Sequence, residues 1–164
     1  MSKNASASAD HADTANTDFD FGETVGHLLR RAYQRHVAIF QQTIKEYHLT
    51  AAQFVVLCTV RDQGSCSLSE IVRATAIDQA TVRGIIERLK LRKLITVIHN
   101  PDDRRKVSVS MTDEGLTIIR QTVPLVQQIS ELTFNGLNPA ERVAMIYLLR
   151  KMALSDDVRL DQPI

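Results

Sequence analysis

The sequence contains no tryptophan, and only 5% of its 164 residues are aromatic. This scarcity argues against a surface that binds carbohydrate or stacks on nucleic-acid bases, because both rely on aromatic rings. Neither sign of charge is in excess, since 20 Lys and Arg against 19 Asp and Glu leave a formal net charge of +1. The net charge therefore predicts no affinity for nucleic acid or membrane, and only the distribution of charge along the chain is informative.

The two cysteines do not form a recognisable site. Cys58 and Cys66 lie eight residues apart, which is neither the CxxC spacing of metal and redox sites nor a disulfide framework. We expect Cys58 to be buried and Cys66 to lie in a loop, both with structural roles only. Oxidation sensing by one of the thiols is the alternative.

Long apolar runs and enzyme motifs are also missing. The longest run, residues 54–58, is far shorter than the roughly 20 residues that span a bilayer, and the N-terminus lacks the pattern of a secretory signal. There is no GxSxG, P-loop or HExxH motif, and the five histidines show no metal-ligand spacing. We therefore expect a cytoplasmic protein without membrane contact, catalytic residues, metal site or cofactor.

Both ends of the chain are polar and acidic. Residues 1–20 consist mostly of Ser, Ala, Asn, Thr and Asp, which predicts a disordered acidic arm. Residues 155–164 predict a flexible tail.

Start signals for helices recur between these ends. An apolar stripe predicts a first helix over residues 21–47. Thr50 followed by Gln53, and Ser67 followed by Glu70, are capping boxes that begin a second helix and a short third one. These two helices are predicted to end near residues 62 and 75. Asp78 caps a fourth helix, predicted over residues 79–93.

The period then changes from helical to alternating. Apolar residues alternate with polar ones over residues 95–97 and 107–111, which predicts a two-stranded hairpin with a turn at residues 100–103. Thr112 begins a helix toward residue 135, with a bend expected at Pro124. Asn138 caps a last helix that extends to about Leu154.

This order predicts a mainly α fold with a small β-hairpin wing. Two short helices followed by a hairpin are the arrangement of a winged helix-turn-helix, here residues 48–111. The helix after the hairpin is apolar on two stripes, which is too apolar for a lone surface helix. Residues 21–47 together with 112–154 are therefore predicted to form a helical dimerisation region.

Basic charge is concentrated in one segment of this nearly neutral chain. Residues 83–106 contain eight basic and three acidic residues, an excess of five positive charges. The apolar stripe of the fourth helix turns Gln79, Thr81 and Arg83 outward, and Arg and Gln pair well with guanine and adenine. Basic residues farther along suit phosphates or the end of the helix itself. The candidate DNA contacts are Ser67, Gln79, Thr81, Arg83, Arg88, Lys90, Arg104 and Arg105.

Other interpretations of these residues remain open. Each basic residue alone can belong to a solvated face. Arg105 can insert into a narrow minor groove, or it can equally pair with Asp102 or Asp103 and stiffen the hairpin. A winged fold can also serve as a protein adaptor without binding DNA.

At these residues the sequence resembles the MarR family of bacterial winged-helix regulators. The matching segments are residues 48–54, 78–82 with 87–89, 102–105 and 111–115, in the family's order and spacing. Met111 and Lys93 depart from the family's usual Leu and Gly. The resemblance implies a homodimer that binds a pseudo-palindromic double-stranded operator and is relieved by a small aromatic carboxylate or phenol.

The first helix also carries candidate ligand-binding groups. An Arg fork can pair with a carboxylate, and a neutral His can donate to or accept from a ring substituent. A crevice beside the winged domain, where the resemblance implies that ligands bind, would involve His27, Arg30, Arg31, His36, Phe40 and Phe54. The alternatives are that the arginines are a solvated face and that His36 is a core histidine.

Overall fold

A computed structural model of the chain describes residues 19–99 and 107–154. The order of helices and strands is the predicted one. The helices are α1 (Val25–Thr43), α2 (Ala51–Gln63), α3 (Leu68–Thr75), α4 (Gln79–Leu91), α5 (Asp113–Thr133) and α6 (Pro139–Ala153), and the strands are β1 (Ile95–His99) and β2 (Val107–Met111). The predicted acidic arm up to residue 18, the hairpin turn with Arg104 and Arg105, and the tail lie outside the described residues.

The chain divides into two compact units within α1, between Gln34 and Arg35. The first unit contains a 3₁₀ turn (Phe21–Glu23) and the first half of α1. The second contains the rest of α1 and every later helix and strand, so the winged helix-turn-helix lies entirely within it.

The helix starts are stabilised by the predicted side-chain caps. Thr50 Oγ1 accepts from the Gln53 N–H at 3.2 Å, while Gln53 Oε1 accepts from the Thr50 N–H at 3.0 Å. Ser67 with Glu70, and Asn138 with Glu141, form the same reciprocal pair. Asp78 accepts from the Thr81 N–H at 2.9 Å. The starts of α2, α3, α4 and α6 are therefore set by local hydrogen bonds.

The predicted first helix is wrong at both ends. Residues 21–23 and 45–47 are 3₁₀ turns rather than α-helix. Asp20 caps the first turn, and Thr24 between it and α1 is extended. At the other end His48 adopts a left-handed conformation with φ of 51°. The chain turns there because Ile44 and Leu49 are both buried in the core. The helical pattern of the sequence continues past residue 43 and therefore did not predict this turn.

The core of the second unit lies among α2, α3, α4, α5 and the hairpin. Val56, Leu57 and Val60 of α2 are fully buried with Val82 and Leu89 of α4. The two strands are antiparallel, with Ile95 opposite Met111 and Val97 opposite Val109. The hairpin is therefore attached to the helix-turn-helix by the same apolar cluster that orients α4.

The cysteines differ from the expectation. Cys66 does lie between α2 and α3, but it is buried, because its backbone N–H and C=O both pair with Val109 of β2 at 3.0 and 2.8 Å. Cys58 is only half-buried. Burial raises the pKa of both thiols, which favours the protonated and unreactive form. A structural role therefore fits both cysteines better than oxidation sensing.

The fourth helix ends at Leu91, two residues earlier than predicted. The Leu94 N–H donates to the Leu89 C=O at 3.0 Å and the Lys93 N–H to the Lys90 C=O at 2.9 Å, which is the pattern of a Schellman motif. Lys93 has a φ of +59°, in the left-handed region that glycine adopts freely. This conformation gives a physical reason for the glycine that the resemblance predicts at position 93, where this chain has Lys.

Lys93→Gly is expected to raise the free energy of unfolding by about 0.5–1 kcal/mol. Relief of the left-handed strain at a residue with a Cβ outweighs the greater freedom that glycine has in the unfolded chain. Urea denaturation measures the change. Lys93→Ala, which keeps the Cβ, is the matched control, and an equal gain in both variants would assign the effect to loss of the Lys side chain rather than to φ.

Candidate nucleic-acid interface and effector site

The first turn of α4 presents polar side chains to solvent. Gln79, Thr81 and Arg83 are exposed, while Val82 and Ile85 between and after them are buried. The Asp78 cap holds this turn, and hydrogen bonds that the carboxylate accepts from the Thr81 hydroxyl and backbone N–H lower the pKa of the Asp78 carboxyl. The helix therefore offers Gln79 and Arg83, whose side chains pair well with base edges, at the end of the helix where the dipole is positive.

The other candidate DNA contacts on the helix-turn-helix differ in whether their hydrogen-bonding groups already have a partner in the protein. Lys90 is exposed. Arg88 is exposed and its Nε donates to the Gly84 C=O at 3.0 Å, which leaves its terminal N–H groups available to a phosphate. The Ser67 hydroxyl accepts from the Glu70 N–H and donates to Glu70 Oε2 at 2.8 Å. Ser67 is thus committed to the start of α3, and any contact with DNA would compete with that role.

Arg92 does not bind the end of its own helix through its side chain. Its Nη1 donates to the His48 C=O at 2.7 Å and its Nη2 to the Tyr47 C=O at 2.9 Å. The sequence predicted phosphates or the C-terminus of α4 as its partners. No local pattern could have predicted carbonyls more than 40 residues away.

The base of the hairpin carries a group of hydroxyls that the sequence did not single out. Ser110 donates to Ser65 Oγ at 3.2 Å, and Ser65 is also hydrogen-bonded to Ser108. These bonds tie the loop after α2 to the strand that leads away from the predicted tip. They position the hairpin against the helix-turn-helix.

Three of the predicted ligand-binding residues come together in the second unit. The ring centroid of buried Phe40 lies 6.4 Å from that of His36 and 5.5 Å from that of Phe54. His36 Nδ1 lies 3.0 Å from Thr133 Oγ1, and the Thr133 hydroxyl itself donates to the Ile129 C=O at 2.7 Å. Because the Thr133 hydroxyl donates to Ile129, its oxygen can accept from Nδ1, and in that tautomer Nε2 is the acceptor of the ring.

The other three predicted ligand residues belong to the first unit. The His27 ring lies 4.7 Å from the Phe21 ring. Arg30 and Arg31 are exposed, and in the described residues no carboxylate pairs with either guanidinium.

A cavity of about 320 Å³ that the sequence did not predict lies between the end of α2 and the first half of α5. Its two cationic groups are Arg61, whose Nε is 2.7 Å from Asp62 Oδ1, and Arg120, which donates to Thr117 Oγ1 at 3.1 Å. The lining residues are Arg61, Leu116, Ile119, Arg120, Val123 and Pro124. Leu116, Ile119 and Val123 lie on one of the two apolar stripes that the sequence predicts for this helix; periodicity shows which residues share a face but not what covers it.

Within residues 19–99 and 107–154, no three His, Cys, Asp or Glu side chains are grouped so that they could hold a metal ion. No helix of that part of the chain is long and apolar enough to cross a membrane.

Comparison with known proteins identifies the relatives of the chain. The MarR family model matches residues 49–107. The transcriptional repressor NicR of Pseudomonas putida KT2440 is 52% identical over 157 residues, which cover 96% of this chain and 98% of NicR.

Solved structures agree with this relationship. BpsR of Bordetella bronchiseptica, studied for the regulation of its DNA binding by 6-hydroxynicotinic acid, has a TM-score of 0.77 at 67% identity and covers 84% of this chain and 99% of BpsR. An Escherichia coli MarR variant complexed with operator DNA has a TM-score of 0.72 at 26% identity, covering 80% and 96%.

Proposed function

The chain belongs to the MarR family and is a ligand-responsive, DNA-binding transcriptional repressor, and from this premise we propose that it acts as a homodimer on a pseudo-palindromic operator in the cytoplasm. Residues 48–111 would bind DNA, and residues 21–47 with 112–154 would form the dimer. The observation that carries the proposal is the exposed first turn of α4, with Gln79, Thr81 and Arg83 on its outer face.

Helix α6 supports the dimer. It contains no buried residue, although much of its sequence is apolar. Its exposed large hydrophobic residues are Val143, Ile146, Tyr147, Leu148, Leu149 and Met152. Burial of apolar area is worth about 25 cal/mol per Å², so a second copy of the chain would gain by covering this helix. A two-fold dimer would then present two α4 helices to successive major grooves, roughly 34 Å apart.

In this proposal the DNA contacts divide by role. Gln79, Thr81 and Arg83 read base edges, and Arg88 and Lys90 bind phosphates. The remaining predicted contacts are Ser67 at the start of α3 and Arg104 and Arg105 at the hairpin tip.

We also propose that the effector is a small aromatic acid of the 6-hydroxynicotinic acid type, which regulates the relative BpsR. Nε2 of His36 can accept a hydrogen bond from the hydroxyl or ring N–H of such a molecule, and Phe40 and Phe54 can contact its ring. His27, Arg30 and Arg31 of the first unit stay predicted ligand groups, since an arginine guanidinium can pair with a carboxylate.

Arg83→Ala is expected to weaken binding to the operator by about 10- to 100-fold, because a bidentate contact to guanine contributes roughly 1–3 kcal/mol of discrimination. Binding to random-sequence DNA should fall much less. Gel retardation or fluorescence anisotropy at several salt concentrations, with both DNAs, measures the change.

Lys90→Ala is the comparison variant for this experiment. Loss of a phosphate contact should weaken binding to both DNAs by a similar factor and lower the salt slope by about one. If Arg83→Ala also affects both DNAs equally, Arg83 does not read bases. If the wild-type protein binds its own promoter no better than random DNA, the proposed operator recognition is wrong.

A further inference from the structure

Arg92 links the end of α4 to the segment that connects α1 with α2. Its two terminal nitrogens donate to successive carbonyls, those of Tyr47 and His48. The guanidinium stays charged and holds its donors in one plane, so it can bridge two acceptors that a lysine ammonium cannot bridge in the same way. Among the described residues no other group donates to either carbonyl, so Arg92 satisfies acceptors that the end of the 3₁₀ turn leaves without a partner.

Both backbones that Arg92 joins are held in place. On the α4 side, the Arg92 N–H donates to the Arg88 C=O and the Schellman motif closes around buried Leu89 and Leu94. On the other side, Tyr47 and His48 lie between the buried side chains of Ile44 and Leu49. A shift of one backbone relative to the other would therefore break the two hydrogen bonds rather than be absorbed by a flexible loop.

The carbonyl side of this link is close in sequence to the aromatic cluster. Phe40, whose ring contacts His36 and Phe54, precedes Ile44 by one helical turn, and Ile44 N–H donates to the Phe40 C=O at 3.0 Å. A ligand that displaces the end of α1 would move the Tyr47 and His48 carbonyls. Because Arg92 follows α4 directly, that movement would reach the helix that presents Gln79, Thr81 and Arg83.

We propose that Arg92 is the positioning residue that couples effector binding to the orientation of α4. This inference rests on the proposed function, since it needs an effector that acts on α1. Coupling of this kind is a free energy between two sites, measured as the ratio of operator affinities without and with the effector.

The test compares full-length Arg92→Gln with Lys93→Gln. Both variants lose one positive charge at the end of α4, but only the first loses the two hydrogen bonds. Operator affinity is measured without and with saturating 6-hydroxynicotinic acid, and binding of the acid to DNA-free protein is measured by calorimetry. For Arg92→Gln we expect acid binding within about twofold of wild type and a coupling ratio reduced at least about fivefold. For Lys93→Gln the ratio should be unchanged.

Arg92→Lys keeps the charge, and it is the second variant for this test if Arg92→Gln does not fold. Its coupling ratio should also be reduced, because a single ammonium replaces the planar fork poorly. A wild-type ratio in the folded Arg92 variants overturns the inference and leaves the proposed function intact. If the acid does not release wild-type protein from the operator, the proposed effector is wrong and the inference falls with it.

Discussion

The double substitution Val143→Glu and Tyr147→Glu is expected to give a folded monomer that binds the operator at least about a hundredfold more weakly than wild type. These side chains are 70% and 64% exposed in the single chain, so they contribute little to its own core. Glutamate is a good helix former, and α6 should persist. In a dimer the same positions would bring charges into an apolar contact, which is costly without partners. Loss of the dimer removes simultaneous binding to two half-sites.

Light scattering after gel filtration measures the mass, circular dichroism the helix content, and anisotropy the operator affinity. Val143→Lys with Tyr147→Lys is the matched control, because it also charges the interface but attracts DNA instead of repelling it. Both pairs should be monomeric and bind weakly. If the lysine pair binds the operator as well as wild type, repulsion and not dissociation explains the glutamate result. A dimeric mass for both pairs would remove α6 from the proposed interface.

Gly115→Ala is expected to lower the free energy of unfolding by about 3 kcal/mol, at the upper end for overpacking of a tight contact. A Cβ at this position would overlap the Leu94 carbonyl oxygen and lie 2.9 Å from the Met111 methyl. The carbonyl cannot move away easily, because it accepts from the Thr112 N–H at 3.1 Å. The Thr112 hydroxyl in turn accepts from the Gly115 N–H and donates to the Lys93 C=O. The first turn of α5 is thus packed directly on the backbone that follows α4.

Gly84→Ala is the control for this prediction. It also replaces a helical glycine, but its Cβ would meet only the flexible end of Arg88 at 3.4 Å. We expect it to be neutral or to stabilise by up to about 1 kcal/mol, because alanine is the better helix former. Denaturant titration compares both variants with wild type. Equal stability of Gly115→Ala and wild type would mean that α5 can move away from Leu94 at little cost.

Much of the fold and the outer face of α4 could be predicted because their signals are local. Thr50, Ser67, Asp78 and Asn138 begin helices through bonds to residues three positions away. The apolar stripe of α4 faces the core as its period predicted, which turned Arg83 outward. The break between α1 and the 3₁₀ turn before His48 was not predicted, because helical periodicity continues across it while the burial of Ile44 and Leu49 bends the chain.

By itself, the sequence determined the helices, the hairpin, the exposed side chains at the start of α4 and the family resemblance, since each depends on spacing within a few turns of backbone. Tertiary structure alone decided that Cys66 is buried against Val109, that Arg92 bridges Tyr47 and His48, and that Gly115 has no room for a side chain. Each of these contacts joins residues that are far apart in the chain and meet only after packing. Their partners are chosen by how the buried faces fit, and no pattern of neighbouring residues encodes that choice.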